Sequence, residues 1–141
     1  MRRLRARLLL GVVVGLLHGL GAAVAQPGGD PMTATAPVMA QLEAFRRDDY
    51  DAAFAFASEA IQRMFDRQAF EQMVRAGYPE IARSTSAHVA ESRIGPDGHA
   101  YVRAKVRGAN GNQIEALYDL VWEGGHWRIN GVVAKPDARL I

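Results

Sequence analysis

The sequence contains no cysteine and only four histidines. Without cysteine there is no disulfide framework, no thiol nucleophile, no thiolate-ligated metal and no lipid-modified N-terminal cysteine. His18 falls in an N-terminal apolar run, and His88, His99 and His126 show no ligand spacing. The sequence therefore predicts neither a metal site nor a cofactor.

Long apolar runs are also scarce: the sequence has one, from Leu8 to Val24. Arginines at positions 2, 3, 5 and 7 precede it, and Ala23-Val24-Ala25 follows the pattern of a cleavage site. This combination predicts a secretory signal peptide over residues 1–25 and a periplasmic or secreted mature protein without a stable membrane span. The alternative is an uncleaved anchor, but glycines and a histidine interrupt a run already short for spanning.

The basic character of the chain comes largely from that segment. The whole sequence has 17 basic and 15 acidic residues. Once the four arginines of the signal are removed, 13 basic residues face 15 acidic ones. The mature protein is therefore not basic, and no nucleic-acid partner is predicted.

The length of 141 residues indicates one domain. Residues 26–37, with proline, glycine and threonine and no periodicity, predict a flexible linker. The folded domain is predicted over residues 38–136, followed by a tail at 137–141. Apolar residues then recur at helical spacing, and short polar side chains mark helix starts. The predicted caps are Thr35, Asp48 or Asp49, Ser58 and Asp66, and Gly77 ends the last helix.

The second half of the chain predicts four antiparallel strands, at 86–94, 99–107, 113–123 and 126–134. Gly124-Gly125 is typical of a two-residue hairpin turn, because both central residues need positive φ. Three-residue loops at 96–98 and 109–111 each end on a glycine suited to the left-handed conformation. These turns fix the register and so the face to which each side chain points.

The register pairs apolar residues on one face and opposite charges on the other. Ala104 pairs with Ala116, and Val102 with Tyr118; on the other face Glu91 lies beside Arg103. The same register pairs His88 with Val106 and Ala90 with Ala104 in the first hairpin. In the last hairpin it pairs Trp122 with Trp127, Leu120 with Ile129 and Tyr118 with Gly131. Helices followed by such a meander predict an α+β fold, with the N-terminal helices on the concave face of a curved four-stranded sheet.

Three stretches carry a resemblance to a known superfamily: Phe45-Arg46-Arg47-Asp48-Asp49-Tyr50-Asp51, Met73-Val74-Arg75-Ala76-Gly77-Tyr78-Pro79 and Trp127-Arg128-Ile129-Asn130-Gly131-Val132. From about Val38 to Pro136 the chain resembles the nuclear-transport-factor-two-like superfamily. Within it, the chain is similar to a bacterial family of exported proteins that carries only a domain-of-unknown-function label. The resemblance implies a cone-like fold with an internal pocket. The resemblance does not indicate a particular reaction, because that superfamily includes both enzymes and binding modules.

A band of small residues on the inner face predicts a pocket. The candidate pocket residues are His88, Ala90, Ser92, Ala104, Ala116 and Tyr118. One interpretation is a small apolar cavity with a few polar groups; the other is that helix side chains fill the space above the alanines. We favour an exported, non-catalytic domain that binds a small apolar ligand or an envelope protein. The alternative is a cofactor-independent isomerase or hydrolase that uses His88 and Tyr118 in the cavity.

The outer face mixes aliphatic side chains with complementary charges, which suits self-association. The candidate face for a homodimer comprises Tyr101, Arg103, Leu117, Val121, Arg128 and Val132. The resemblance also implies pairing through the sheet, since related cones often dimerise in this way. The other interpretation is a solvated surface with scattered aliphatic residues.

Overall fold

A computed structural model describes residues 30–137, which form five helices and one antiparallel sheet. The predicted signal peptide and the end of the predicted tail lie outside these residues. After a 3-10 turn at Pro31–Ala34, the helices are α1 (Thr35–Arg46), α2 (Tyr50–Ala55), α3 (Glu59–Met64), α4 (Arg67–Gly77) and α5 (Pro79–Ala82). The strands are β1 (Ser84–Ile94), β2 (Ala100–Gly108), β3 (Gln113–Glu123) and β4 (His126–Pro136). This is the predicted α+β fold.

Polar side chains begin three of the helices as predicted. The side chains of Asp49, Ser58 and Asp66 accept hydrogen bonds from backbone N–H groups three residues further on, at the starts of α2, α3 and α4. These bonds satisfy donors that have no partner within the helix itself. Helix α4 ends at Gly77, as the sequence predicts.

The prediction of a flexible linker was wrong for residues 31–37. Asp30 caps the 3-10 turn through a hydrogen bond from the backbone N–H of Met32, and Ala34 is fully buried. Thr35, predicted as a cap, is instead the first residue of α1, and its hydroxyl donates to the Met32 carbonyl at 2.7 Å. Two short-range hydrogen bonds and one buried methyl thus order a segment whose composition is typical of a loop.

The four strands pair in sequence order, and their turns have the predicted backbone conformations. Gly124 and Gly125 have φ of 57° and 81°, as a two-residue hairpin turn requires. Gly98 and Gly111 have φ of 82° and 85° and end the two longer loops. The predicted pairing of β2 with β3 is confirmed, including Ala104 with Ala116 and Val102 with Tyr118.

The prediction for the first half of β1 was wrong because a bulge lies at Ala90. Between the turn and Glu91 the predicted pairs are present, and Glu91 lies opposite Arg103. Beyond the bulge the register shifts by one residue, so Val89 pairs with Ala104 and His88 with Lys105. A bulge places two residues opposite one, which moves every later side chain to the other face.

A second bulge, at Asn130 in β4, corrects the prediction there. The pairs Trp122 with Trp127 and Leu120 with Ile129 are confirmed. Beyond Asn130 the predicted pair of Tyr118 with Gly131 is replaced by Tyr118 with Val132. Val132 therefore lies on the helix side of the sheet, and the next residue along the strand takes the outer face. Both bulges lie in edge strands, and they increase the curvature of the sheet.

The core lies between the helices and the concave face of this sheet. Helix α1 packs against β1 and β4, and α5 packs against β2. The inner-face residues of β2 and β3 are fully or almost fully buried, except Trp122 at the hairpin end, which is 41% exposed; the largest buried one is Tyr118. From the helices, α1 contributes Val38, Leu42 and Phe45, and α4 contributes Phe70 and Val74. The periodic apolar residues identified in the sequence thus face the sheet.

Candidate functional site

An apolar cleft of about 70 Å³ lies between the helices and the end of the sheet near β4. The residues that line it are Gln41, Phe45, Ala57, Ile61, Phe70, Met73, Val74, Tyr78, Ile81, Tyr118, Ile129, Gly131 and Val132. Four helices and two strands supply these residues, except Ala57 and Tyr78, which lie in connections between helices. No charged residue is among them.

The mouth of the cleft lies where partly exposed lining residues meet. Ile61 in α3, Met73 in α4 and Tyr78 before α5 are partly exposed, as are Gly131 and Val132 in β4. The remaining lining residues are buried. The cleft is therefore an inlet that opens between the helices and the edge of the sheet, with its closed end in the core.

The wall of the cleft is apolar throughout. Gln41 turns its amide away, because Nε2 donates to the backbone carbonyl of Ala53 at 3.0 Å. The hydroxyl of Tyr78 donates to the Val132 carbonyl at 3.3 Å. The site can therefore exclude water and accommodate hydrocarbon, but it presents no polar group to a ligand.

The ring of Tyr118 forms part of the wall, while its hydroxyl is buried out of contact with solvent. No hydrogen-bond partner for this hydroxyl exists among residues 30–137. Burial raises the pKa of Tyr118 far above the usual tyrosine value, because the phenolate would lose its hydration. Burial therefore favours the neutral phenol over the phenolate.

Two residues of the predicted pocket lie elsewhere. His88 is exposed on the outer face opposite Lys105, and Ala90 is exposed at the bulge. His88 and Tyr118 therefore lie on opposite faces of the sheet. The alternative of an isomerase or hydrolase required both residues in one cavity, and the structure does not bring them together. The physical reason is the single extra residue of the bulge, which reverses the orientation of the residues before it, back to a second register shift between Ser84 and Ser86.

Three further predicted pocket residues face the helices without lining the cleft. Ala104 and Ala116 are fully buried beneath the helices. Ser92 lies below the 3-10 turn, where its hydroxyl donates to the Pro31 carbonyl at 2.6 Å. Of the six predicted pocket residues, Tyr118 alone contributes to the cleft.

Most of the cleft comes from residues that the sequence placed in the helical apolar stripes, such as Phe45, Phe70 and Met73. Their periodicity identified them as facing the sheet. It could not show that a gap remains between them and β4. Gly131 is not a signal for that gap, because it pairs with Asp119 on the outer face and borders the cleft only with its backbone.

A chain of polar contacts fixes β4 next to the cleft. The Ser58 hydroxyl donates to Asn130 Oδ1 at 2.9 Å, and Asn130 Nδ2 donates to Asp119 Oδ2 at 3.3 Å. His99 Nδ1 lies 2.6 Å from the other oxygen of Asp119. Ser58 is fully buried and also caps α3. The side chain of the bulge residue thereby connects the sheet to the start of a helix that lines the cleft.

A second, polar groove of about 440 Å³ lies between α2, α3 and the β3–β4 hairpin. Its charged residues already have partners. Asp51 accepts from Arg67 Nε at 2.7 Å, and Glu123 accepts from the backbone N–H of Glu59 at 3.0 Å. Arg128 donates to the backbone carbonyl of Ala55. These contacts stabilise the local structure, so the groove is a weaker candidate site.

The outer face keeps five of its six predicted residues. Tyr101, Arg103, Leu117, Val121 and Arg128 lie on the side away from the helices. Val132 does not, because of the bulge; Val133, which is 66% exposed, takes its place opposite Leu117. Arg103 forms ion pairs with Glu91 at 2.9 Å and Glu115 at 3.8 Å.

The helices and the ligand-type side chains of residues 30–137 were compared with what a membrane span and a metal site require. Within residues 30–137, no helix has the length and apolar character needed to cross a membrane. In the same part of the chain, no three histidine or carboxylate residues are grouped so that they could hold a metal ion.

Together, fold and cleft define a small α+β domain with helices on one face of a curved antiparallel sheet and an apolar inlet between the layers. The chain belongs to the family described as domain of unknown function DUF4864, whose model matches residues 30–140. No curated protein and no solved structure matches the chain significantly.

Proposed function

We propose that this chain is an exported binding domain that takes an apolar group into the cleft. The observation that carries the proposal is an inlet of about 70 Å³ with an entirely apolar wall. Protein interiors are close-packed, and unfilled space costs contacts that neighbouring side chains would otherwise make. A site that keeps such space open beside the solvent is suited to an apolar occupant.

The size of the cleft limits that occupant. An apolar cavity of about 150 Å³ in another protein holds benzene or xenon. The cleft has about half that volume, so it suits xenon or an aliphatic group rather than an aromatic ring. Because its wall offers no hydrogen bond, affinity depends on buried carbon atoms, at about 0.8 kcal/mol for each CH₂ group.

Export is supported by the arginine-rich start, the apolar run and the Ala23-Val24-Ala25 pattern. A periplasmic or secreted location follows from the same features. The order of elements and the curved sheet also agree with membership in the nuclear-transport-factor-two-like superfamily, which we include in the proposal. The non-catalytic role is supported by the wall of the cleft, which presents no acid, base or nucleophile.

Methyl NMR under xenon pressure tests the binding proposal. The methyl signals of Ile61, Ile129 and Val132 should shift with xenon, whereas those of the exposed Val133 should not. Val132→Phe places a ring at the mouth and should abolish the shifts at the two isoleucines. Val133→Phe is the matched control, because the adjacent side chain lies on the opposite face. Unshifted cleft methyl signals in the unmodified protein would refute the proposal.

The outer face supports a second candidate function, self-association. Leu117 is 41% exposed and lies opposite Val133 on the neighbouring strand. Two aliphatic side chains at the centre of a face with ion pairs around them resemble the middle of a protein interface. A homodimer through this face would leave the cleft open, so the two functions are compatible.

A further inference from the structure

The edge of the sheet next to the cleft has unused hydrogen-bonding groups. Strand β4 is the last strand, so one side of its backbone lacks a neighbouring strand. In antiparallel pairing, alternate residues direct their N–H and C=O groups away from the partner strand. Ile129 shows this orientation: its N–H donates to Phe56 and its C=O accepts from Ser58, both at 2.8 Å.

Past the bulge, the residues with the same orientation are Val132, Ala134 and Pro136, which pair with Tyr118, Ala116 and Ile114. The hydrogen bond from Tyr78 to the Val132 carbonyl agrees with this assignment. Pro136 has no N–H to leave unsatisfied. Among the described residues, no partner outside the sheet reaches the N–H of Val132 or either backbone group of Ala134.

These groups lie beside the mouth of the cleft. Val132 supplies both an outward N–H and part of the lining, and Gly131 lines the mouth next to it. A strand that paired with this edge would run directly past the opening. Because side chains of a strand alternate in direction, one of them would point toward the cleft while its neighbours point away.

We propose that the apolar group received by the cleft is an aliphatic side chain of an extended peptide segment that pairs with β4 at Val132 and Ala134. This inference rests on the proposed binding function. Backbone hydrogen bonds at the edge would hold the segment, and the cleft would select one side chain. The volume favours leucine, isoleucine or valine over an aromatic residue.

The positions of the backbone N–H and C=O groups that lack a partner on this edge favour a separate peptide over a second copy of this chain as the binding partner. The edge of β4 is interrupted: the groups of Ile129 and the carbonyl of Val132 are in use, and Pro136 cannot donate. Two such edges facing each other would form few bonds. The opposite edge of the sheet, β1, carries two register shifts, which disfavour continuous pairing.

The first test uses capped pentapeptides, acetyl-Ser-Thr-X-Thr-Ser-amide, with X as leucine or alanine. The leucine peptide should bind at least about tenfold more tightly, because three further carbon atoms enter the cleft. Hydrogen exchange should slow at the amides of Val132 and Ala134 when the leucine peptide is present. A leucine peptide N-methylated at its backbone amides should lose this protection and most of its affinity.

The second test changes the edge itself. Ala134→Pro removes an outward N–H at a position equivalent to Pro136 and should weaken binding of the leucine peptide. Ala134→Ser keeps the N–H and should bind as the unmodified protein does. Thermal unfolding of both variants checks that they fold. If the Ala134→Pro variant does not fold, the N-methylated peptide tests whether binding needs backbone hydrogen bonds.

Four results would overturn the inference. The first is equal affinity for the leucine and alanine peptides. The second is equal peptide binding by the Ala134→Pro and Ala134→Ser variants, both folded. The third is slow exchange at Val132 and Ala134 that depends on protein concentration without peptide, which would assign the edge to a second copy. Xenon shifts in the cleft with no peptide binding would overturn this inference and leave the proposed function intact.

Discussion

The Ser58 hydroxyl donates a 2.9 Å hydrogen bond to Asn130, a residue 72 positions away. Ser58 caps α3, and Asn130 is the bulge residue of β4. Both the helix and the strand line the cleft. This contact therefore sets how far apart two walls of the site lie, and the bulge that reverses the register of β4 also supplies the side chain that holds α3.

Ser58→Ala should destabilise the protein by about 2 kcal/mol. The substitution removes the cap of α3 and leaves partly buried polar groups of Ile61 and Asn130 without that partner. Urea unfolding followed by circular dichroism measures the change. Ser86→Ala, at an exposed strand position, is the control and should stay within about 0.5 kcal/mol. Equal stabilities for the two variants would contradict the structural role of Ser58.

Two glycines of the same hairpin should respond differently to alanine. Gly125 has φ of 81°, so Gly125→Ala should cost about 1 kcal/mol from backbone strain. Gly131 has no positive φ, and a Cβ there meets no atom within 4 Å. Gly131→Ala should therefore be neutral or stabilising by up to about 1 kcal/mol. Thermal unfolding compares them, and a larger loss for Gly131→Ala would contradict the described turn.

Tyr118→Phe should stabilise the protein at neutral pH by about 1 kcal/mol, because it removes a buried hydroxyl that lacks a partner among the described residues. Urea unfolding at pH 7 measures this change. A loss of stability instead would show that the hydroxyl has a partner, such as an internal water.

Tyr118→Phe should also change how the free energy of unfolding depends on alkaline pH. Burial raises the pKa of Tyr118 in the folded state. The unfolded chain therefore releases this proton first, and stability falls as pH rises above about 10, by at most about 1.4 kcal/mol per pH unit. Tyr118→Phe should remove this part of the fall. Unfolding free energies measured from pH 8 upward compare the two proteins, and parallel pH curves would contradict the raised pKa.

Leu117→Glu tests the second candidate function. If the outer face forms a homodimer, a carboxylate at its centre should shift the protein to monomers, because removing the charge from water in the interface costs more than pairing with the opposite Arg103 returns. Sedimentation equilibrium measures the mass. His88→Glu, exposed on the same face but near its edge, is the control and should leave association unchanged. A mass that Leu117→Glu does not alter would rule out this interface.

The sequence predicted the centre of the sheet correctly for reasons that are local. Glycines with positive φ fix the turns, and a fixed turn fixes the pairing of the residues near it. Ala104 with Ala116 and Trp122 with Trp127 follow directly from those turns. The caps at Asp49, Ser58 and Asp66 are local in the same sense, because each side chain bonds to a backbone group three residues away.

The bulges at Ala90 and Asn130 were not predicted, and with them the positions of His88, Val132 and Val133. Ala90 carries no turn signal, whereas Asn130-Gly131 is a dipeptide typical of turns and bulges. The alternating pattern on both sides of each residue also allows an uninterrupted strand. Asn130 is stabilised in its position by Ser58 and Asp119, which are distant in sequence. Contacts of this kind become visible only when the chain has folded.

The sequence by itself determined the α+β class, the helix starts and the register next to each turn, because these depend on backbone conformations that neighbouring residues impose. The tertiary structure decided which side chains share the cleft. Helix side chains and a strand displaced by one residue leave space there that no local pattern encodes. One extra residue in β4 placed Val132 at the mouth and Val133 on the outer face.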